Sequence, residues 1–523
     1  MLHEKSKQLN FYSPLYNRIP ENHILKLIDS AISFEFVNKT LEASYCKDFG
    51  RPAKEPEMML RILMLQHLYD LSDDRIIGEI NVNLAFMWFI GINPDETLPH
   101  PSLLTKFRTM RLKDVMMDDI IVEIVRQCVV SGIIPADNGI SVDTTHILAN
   151  TTRAVPERMM KQLAKKIFKA MGKTDYEIPD YKSITDHNEA KQIMKEYLED
   201  VIKNANDAAR NEVEEAKEIL SSSKFIEQKG IRSLVDKDAR VGHKSKTEKF
   251  FGYKMEYTLA TEGLLITAVT VHDGAYVDGD EFDKLYRLCT DAGLNITETF
   301  GDKAYFKKRI LDIIRAGNGT AYIPVSACAY RIDEDLFRYN KDSDQWICKH
   351  GNMSISKKII TTNRKTVGTK QFYEYTFDKK ECMVCPFRVE CIKKAKTKGK
   401  RLQIGLNSGE YYEHSLWAKT EEFSKQYKKR AGIERKNGEI KRFHGLNKAK
   451  GYGLASVTLQ AKLVAAAVNL KRIAKLVSSS SRYEVNKLRM PKSVSYSHHN
   501  MLIILLKLRI NAPRIIEYKV KVS

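Results

Sequence analysis

The hydrophobic period of this chain changes at Gly139, and that change decides what it can fold into. Before it, apolar residues recur at helical spacing: Met58, Met59, Ile62, Leu63, Leu65, Leu68 and Tyr69 share the stretch Glu57 to Leu71, entered through Gly50-Arg-Pro52 and Pro56. Ser72-Asp-Asp74 caps a second helix through Ile80, Asn81 to Ile90 reads as a third ended by Gly91 and Pro94, and Ser102 to Ser131 as a fourth. At Gly139-Ile-Ser-Val-Asp-Thr-Thr-His146 the residues turn β-branched, which predicts a strand with Asp143 at its tip. A hairpin follows, 252–260 and 264–271 about the turn Thr261-Glu-Gly263. After it come a helix over Asp280 to Ala292, a strand Ile296 to Asp302, a helix Tyr305 to Ala316 and a strand Thr320 to Val325. A helical leader followed by strands alternating with helices specifies a mixed α/β sheet beside an all-α module.

Two stretches interrupt that order. Residues from Glu157 to about Leu220 are charged, helical and poor in aromatics, as a helical pair or hairpin inserted on the surface would be. Residues 329–403 are polar, Lys-rich and Cys-bearing, with a strand expected at Gln371 to Phe377. The expected domains are therefore an all-helical 1–135, an α/β core over 136–328 containing a helical insertion at about 157–225, a Cys- and Lys-rich insertion at 329–403, returning core helices at 404–477, and a basic tail at 478–523. From Arg482 onward the tail holds nine Lys/Arg against two Glu, as either a DNA-contacting arm or a solvated terminus would.

Charge narrows the partner. Lys and Arg number 86 against 66 acids, a formal net charge of +20, and a polyanion such as nucleic acid is the natural partner of that surface. The longest apolar runs, such as Met501 to Leu506, are far short of the ~20 residues a membrane span needs. The first residues carry no apolar signal core, so a cytoplasmic protein is expected. Cys46, Cys128, Cys289 and Cys328 read as buried free thiols of a reducing compartment.

The run Tyr427 to Lys441 is compatible with a helix that puts one acid among bases and an aromatic. At about 100° per residue, Tyr427 and Lys441 point roughly 20° from Glu434 and Arg430 roughly 40° from it. A solvated basic helix with one Arg430–Glu434 ion pair would show the same pattern. Two further acids stand at predicted strand ends, Asp143 and Asp302, the latter within Gly301-Asp-Lys-Ala-Tyr305. Strand-end carboxylates of an α/β sheet converge at one edge. Three carboxylates without His or Cys favour Mg²⁺ or Mn²⁺ over zinc, and two such ions suit in-line displacement at phosphorus.

The spacing Tyr427, Arg430, Glu434, Lys441 is that of the Y-x2-R-x3-E-x6-K signature, and here the chain resembles the DDE transposases of the IS4 type, whose catalytic domain is RNase H-like. The wider text Tyr427 to Leu454, with Gly50 to Arg61 and Ser72 to Arg75, resembles the IS1182 group of bacterial insertion-sequence transposases, over most of residues 40 to 475. The resemblance implies that Asp143, Asp302 and Glu434 are a catalytic triad holding two Mg²⁺ (or Mn²⁺) ions. It implies that Tyr427, Arg430, Lys441 and His444 contact DNA, and that the double-stranded element ends and target are cut and joined by a homodimer. Ala304 stands where that group often has Gly, and Asp278 in Gly274-Ala-Tyr-Val-Asp278 is a looser match. A transposase-derived DNA-binding protein without chemistry and a metal-dependent nuclease without strand transfer would keep much of the same text.

Cys382-Met-Val-Cys385 and Cys391 form a knuckle with a third thiol six residues on, and Cys348 in Trp346-Ile-Cys348 supplies a fourth. Four thiolates from two segments fit a tetrahedral structural Zn²⁺, with reduced thiols or an iron–sulfur cluster as the other readings. The basic segment Lys393 to Arg401 that follows would add salt-sensitive phosphate affinity or be a solvated loop.

Overall fold

A computed structural model of the protein describes residues 12–45, 53–112, 114–222, 224–227, 230–245, 247–364, 368–392 and 399–487. Cys46, Lys393 to Lys398 and the tail beyond Lys487 lie outside the described residues. Residues 1–476 form one compact unit and 477–523 a second.

The leading residues are helical as their period predicts. Pro56–Leu68 begins on a proline, whose fixed φ suits a first turn, and buries ten of its thirteen residues. Ser72 caps Asp73–Val82 by accepting from the Arg75 amide at 3.3 Å. Asn83 caps Leu84–Ile90, and Gly91 ends it at φ +71°, a conformation that favours glycine. The expected single helix from Ser102 to Ser131 is two, Pro101–Met110 and Asp114–Val130. Arg108 ties the first of them to Asp73 and to Gln66 (3.1 Å).

The sheet is built from β1 (Asp137–Leu148), β2 (Arg240–His243), β3 (Lys249–Ala260), β4 (Ile266–Asp273), β5 (Asn295–Phe300) and β6 (Thr320–Tyr322). β1 pairs antiparallel with β3 and parallel with β5, β5 continues parallel to β6, and β3 carries both β2 and β4 on its other edge. It is a mixed sheet with flanking helices, as the alternation of periods predicts. β1 runs longer than expected, so Asp143 stands in its middle rather than at its tip. The β5 ladder, however, ends at Ser141 opposite Phe300, so on that side Asp143 lies just past the last pair.

The 157–220 insertion is more than a surface hairpin. Three helices, Pro156–Ala170, His187–Lys203 and Arg210–Ser221, close a core of their own around Met159, Leu163, Ile167, Met194 and Leu198. The charge that dominates its sequence lies outside an amphipathic interior. The later insertion holds five strands rather than one: the pair β7 (Phe337–Asn340) and β8 (Gln345–Cys348), and a three-stranded sheet of β9 (Ser356–Arg364), β10 (Gly368–Thr376) and β11 (Arg401–Gly405). Trp346 packs against Tyr339 and Tyr412, a core too dispersed in sequence for a short-range period to reveal.

Helix Leu454–Lys487 starts as an apolar rod through the first unit. Lys462 on it is 1% exposed and meets Asp118 of Asp114–Val130 at 2.6 Å, while Lys284 reaches the other carboxylate oxygen at 3.5 Å. Among the described residues no helix is long and apolar enough to cross a membrane. Cys128 and Cys289 are buried free thiols as expected, but Cys328 is exposed on the turn after β6.

Candidate functional site

Asp143 and Asp302 occupy equivalent places past the end of one parallel ladder, two residues beyond the Ser141–Phe300 pair on either strand. Asp302 caps the single 3-10 turn Lys303–Tyr305, accepting from the Ala304 amide at 2.8 Å. Beneath them, the Tyr305 hydroxyl meets Thr144 Oγ1 at 2.9 Å. Glu256, fully buried on β3, accepts from the Tyr276 hydroxyl at 2.8 Å and the Gly279 amide at 2.6 Å. Tyr305 also interacts with Glu256, so the Asp302 turn is tied to β1 through Thr144 and to the neighbouring β3 through one buried carboxyl. Gly279 sits at φ +83° with Tyr305 and Ile310 close behind it, so this loop needs glycine.

The third acid arrives on another element. Glu421–Tyr427, a 3-10 turn Lys428–Arg430 and Ala431–Phe443 follow one another, so the predicted helical run is kinked just before Glu434. The kink leaves Arg430 facing β1. Its Nη1 donates to Glu434 Oε1 at 2.6 Å and its Nη2 to Asp143 Oδ1 at 3.2 Å. Asn437 Nδ2 donates to the other Asp143 oxygen at 2.9 Å, and Asn437 in turn accepts from the Tyr257 hydroxyl at 2.9 Å. Gly432 approaches Leu264, so the helix lies close on the sheet.

The electrostatics follow from that packing. Burial pushes the Asp143 carboxyl up to about 6; Arg430 opposes the rise and Asp302 adds to it. Glu434 is 63% exposed and is held by its ion pair with Arg430. Lys441 points at His146 Nδ1, 3.2 Å away; burial and then Lys244 lower its pKa to about 8, while burial and Lys441 lower that of His146 to about 4. The imidazole is thus neutral and can accept from the ammonium.

Among the described residues no three His, Cys, Asp or Glu side chains are grouped to hold a metal ion. Arg430 explains this at the acidic site, since its guanidinium stands between Asp143 and Glu434. The donor set still fits a hard cation: three carboxylates, one of them strained by burial, and a counter-ion on a flexible side chain.

The sequence-predicted residues are brought together with three changes of role. Tyr427 donates its hydroxyl to Gly301 O at 3.2 Å and stacks on Phe423, which fixes the backbone next to Asp302. His444 is 1% exposed and bonds His67 O at 3.1 Å, so the expected DNA contact is corrected to a core histidine joining two helices. Asp278 pairs with Lys254 of β3 at 2.8 Å, which anchors its loop. Asn437, Tyr257 and Glu256 went unnoticed in the sequence. Asn437 was within reach, lying three residues after Glu434 on nearly the same face, whereas nothing local marks Glu256.

Similarity to known proteins falls on the N-terminal helices and on the later segment that carries Glu434. Residues 13–110 match the family described as Transposase domain (DUF772), and residues 347–474 match the Transposase DDE domain. The second match includes Glu434 and begins downstream of Asp143 and Asp302. No curated protein matches. A structural comparison finds the piggyBac transposase synaptic complex with hairpin DNA at 10% identity and a TM-score of 0.28, covering 98% of this chain and 87% of that one, a likeness too slight to argue from. The two family matches support an insertion-sequence transposase with a DDE domain.

Proposed function

We propose that this chain is a DDE transposase of the IS1182 group, acting as a homodimer on double-stranded DNA through an RNase H-like core. The observation that carries the reading is the convergence of Asp143, Asp302 and the Arg430–Glu434 pair past the end of the β1–β5 ladder. The strand order, antiparallel β4-β3-β1 continued by parallel β1-β5-β6, supports an RNase H-like core.

Asp143, Asp302 and Glu434 would hold Mg²⁺ or Mn²⁺ once Arg430 turns away. Bound there, the metal lowers the cost of displacing an oxygen at phosphorus. The chain's own residues set the stage: Asn437 orients the Asp143 carboxylate, Glu256 and Tyr305 hold the Asp302 turn, and Tyr427 fixes Gly301. Arg430 and Lys441 would grip the phosphates of an element end.

The test is incubation of purified protein with labelled element-end DNA and Mg²⁺. Cleavage with strand transfer, abolished by Asp302→Ala and by Glu434→Ala, is expected. Cleavage without joining would make the protein a nuclease, and binding without either would make it a non-catalytic DNA-binding protein. Full cleavage by Asp302→Ala would refute the triad.

A further inference from the structure

We infer that Cys348, Cys382, Cys385 and Cys391 form a structural zinc site that holds the 329–403 insertion together. The inference is independent of the transposase reading.

The four thiols come from two separated segments and line one cavity of about 30 Å³, between the end of β8 and the short helices Lys379–Val384 and Arg388–Cys391. All four are half-buried free cysteines. The segment is arranged the wrong way round for a hydrophobic core. Neither short helix buries any residue, and Val384 and Val389 are 78% and 87% exposed while the cysteines face the cavity. Helices of six and four residues do not persist on local propensity. Leu336, Phe377, Phe387 and Ile392 give the cavity an apolar wall, and four cysteines are turned inward among them, where a bound ion would add the hold that local propensity does not supply.

The surroundings suit thiolate ligands. The Lys400 amide donates to Cys382 Sγ at 3.5 Å, as backbone amides do to metal-bound sulfur, and the Lys400 ammonium caps the carbonyl of Cys391 at 2.8 Å. Cys348 lies in a tight turn closed by Gly351 N to Cys348 O at 2.8 Å. Lys349 clamps that turn to the other segment through Glu390 at 3.1 Å and over the Phe387 ring at 4.5 Å. These two contacts bring the segments side by side, though an ion pair this exposed adds little stability of its own. As placed, no three of the thiols meet at one point. Closing on an ion requires rotation of cysteine side chains on and beside two short helices that bury no residue, and a ligand sphere of Zn–S bonds of about 2.3 Å fits a cavity of this size. Binding releases the thiol protons, and zinc undergoes no redox change.

Full-length protein purified without added metal or chelator is assayed for zinc and iron by elemental analysis, then treated with a mercurial in the presence of a zinc-sensitive dye. About one zinc per chain, released by the mercurial, is expected. Replacement by Co²⁺ should give the absorption of a tetrahedral thiolate site. Cys385→Ser should lower the zinc content and render the insertion sensitive to protease, while protease sensitivity of the N-terminal helices stays as in the parent. Iron with a coloured chromophore, a disulfide among these residues, or metal-free protein that keeps the protease resistance of the parent would overturn the site. The metal content of the unaltered chain decides the matter even if the variant fails to fold.

Discussion

Replacing Asp143 with Asn should make the protein more stable and inactive at once. An Asp carboxyl titrates near 3.9 in an unfolded chain and at about 6 here, chiefly because it is buried. A raised carboxyl binds its proton more tightly in the folded state, so its contribution is fully favourable below about pH 4 and is lost as pH rises through 6. Above that, holding the ionised group costs about 3 kcal/mol, from roughly two pKa units at 1.36 kcal/mol each. Asn removes the charge but keeps the shape. It also loses a hydrogen bond, because its amide cannot accept from both Arg430 and Asn437, which takes back about 1 kcal/mol. A net gain of about 1–2 kcal/mol at pH 7.5 is expected without metal or DNA, and the gain should vanish near pH 4.5. Thermal unfolding of both proteins across that range measures it. A second arm adds Mg²⁺, which should stabilise the parent and not the variant. A less stable Asn variant at pH 7.5, or a difference independent of pH, would show that Asp143 is not strained by burial and that the reasoning fails.

Three further outcomes are expected. Lys441→Met should weaken DNA binding at pH 7 but have little effect at pH 9, because a lysine with a pKa of about 8 has given up its charge there; titration of affinity against pH in parent and variant reads this directly. Lys462→Met leaves Asp118 with only Lys284 at 3.5 Å and should cost about 3 kcal/mol in urea unfolding, whereas adding Asp118→Leu should recover most of the loss. His444→Ala should lower stability by about 2 kcal/mol through a cavity and a lost bond to His67, while the folded fraction binds DNA as the parent does; a selective loss of affinity would return His444 to the DNA interface.

Much of the fold was legible because it is written in short-range patterns. Ser72, Asn83 and Gly91 punctuate helices where capping chemistry requires them, and the β-branched run at Gly139 marks the first core strand. The end of a strand was not legible, since β1 continues through Leu148 only because β3 pairs with it residue for residue. The interior of the 157–220 insertion was hidden by its charge, and the five strands of 329–403 by long-range aromatic packing. Among the site residues, the spacing of Tyr427, Arg430, Glu434 and Lys441 was recoverable from one line of text. That Arg430 would lie between Asp143 and Glu434, and that Tyr427 and His444 would serve backbone and core, was not.

The sequence alone determined which residues carry charge and sulfur, and at what helical or strand interval. Those intervals follow from backbone geometry, which is local and needs no partner. Only the tertiary structure decided which of these groups meet and which are stripped of water. Asp143 and Asp302 are 159 positions apart in the chain, and they become neighbours because a parallel ladder ends at Ser141 and Phe300. Burial, a product of packing, then raises the pKa of Asp143, while a guanidinium brought in on a distant helix opposes the rise.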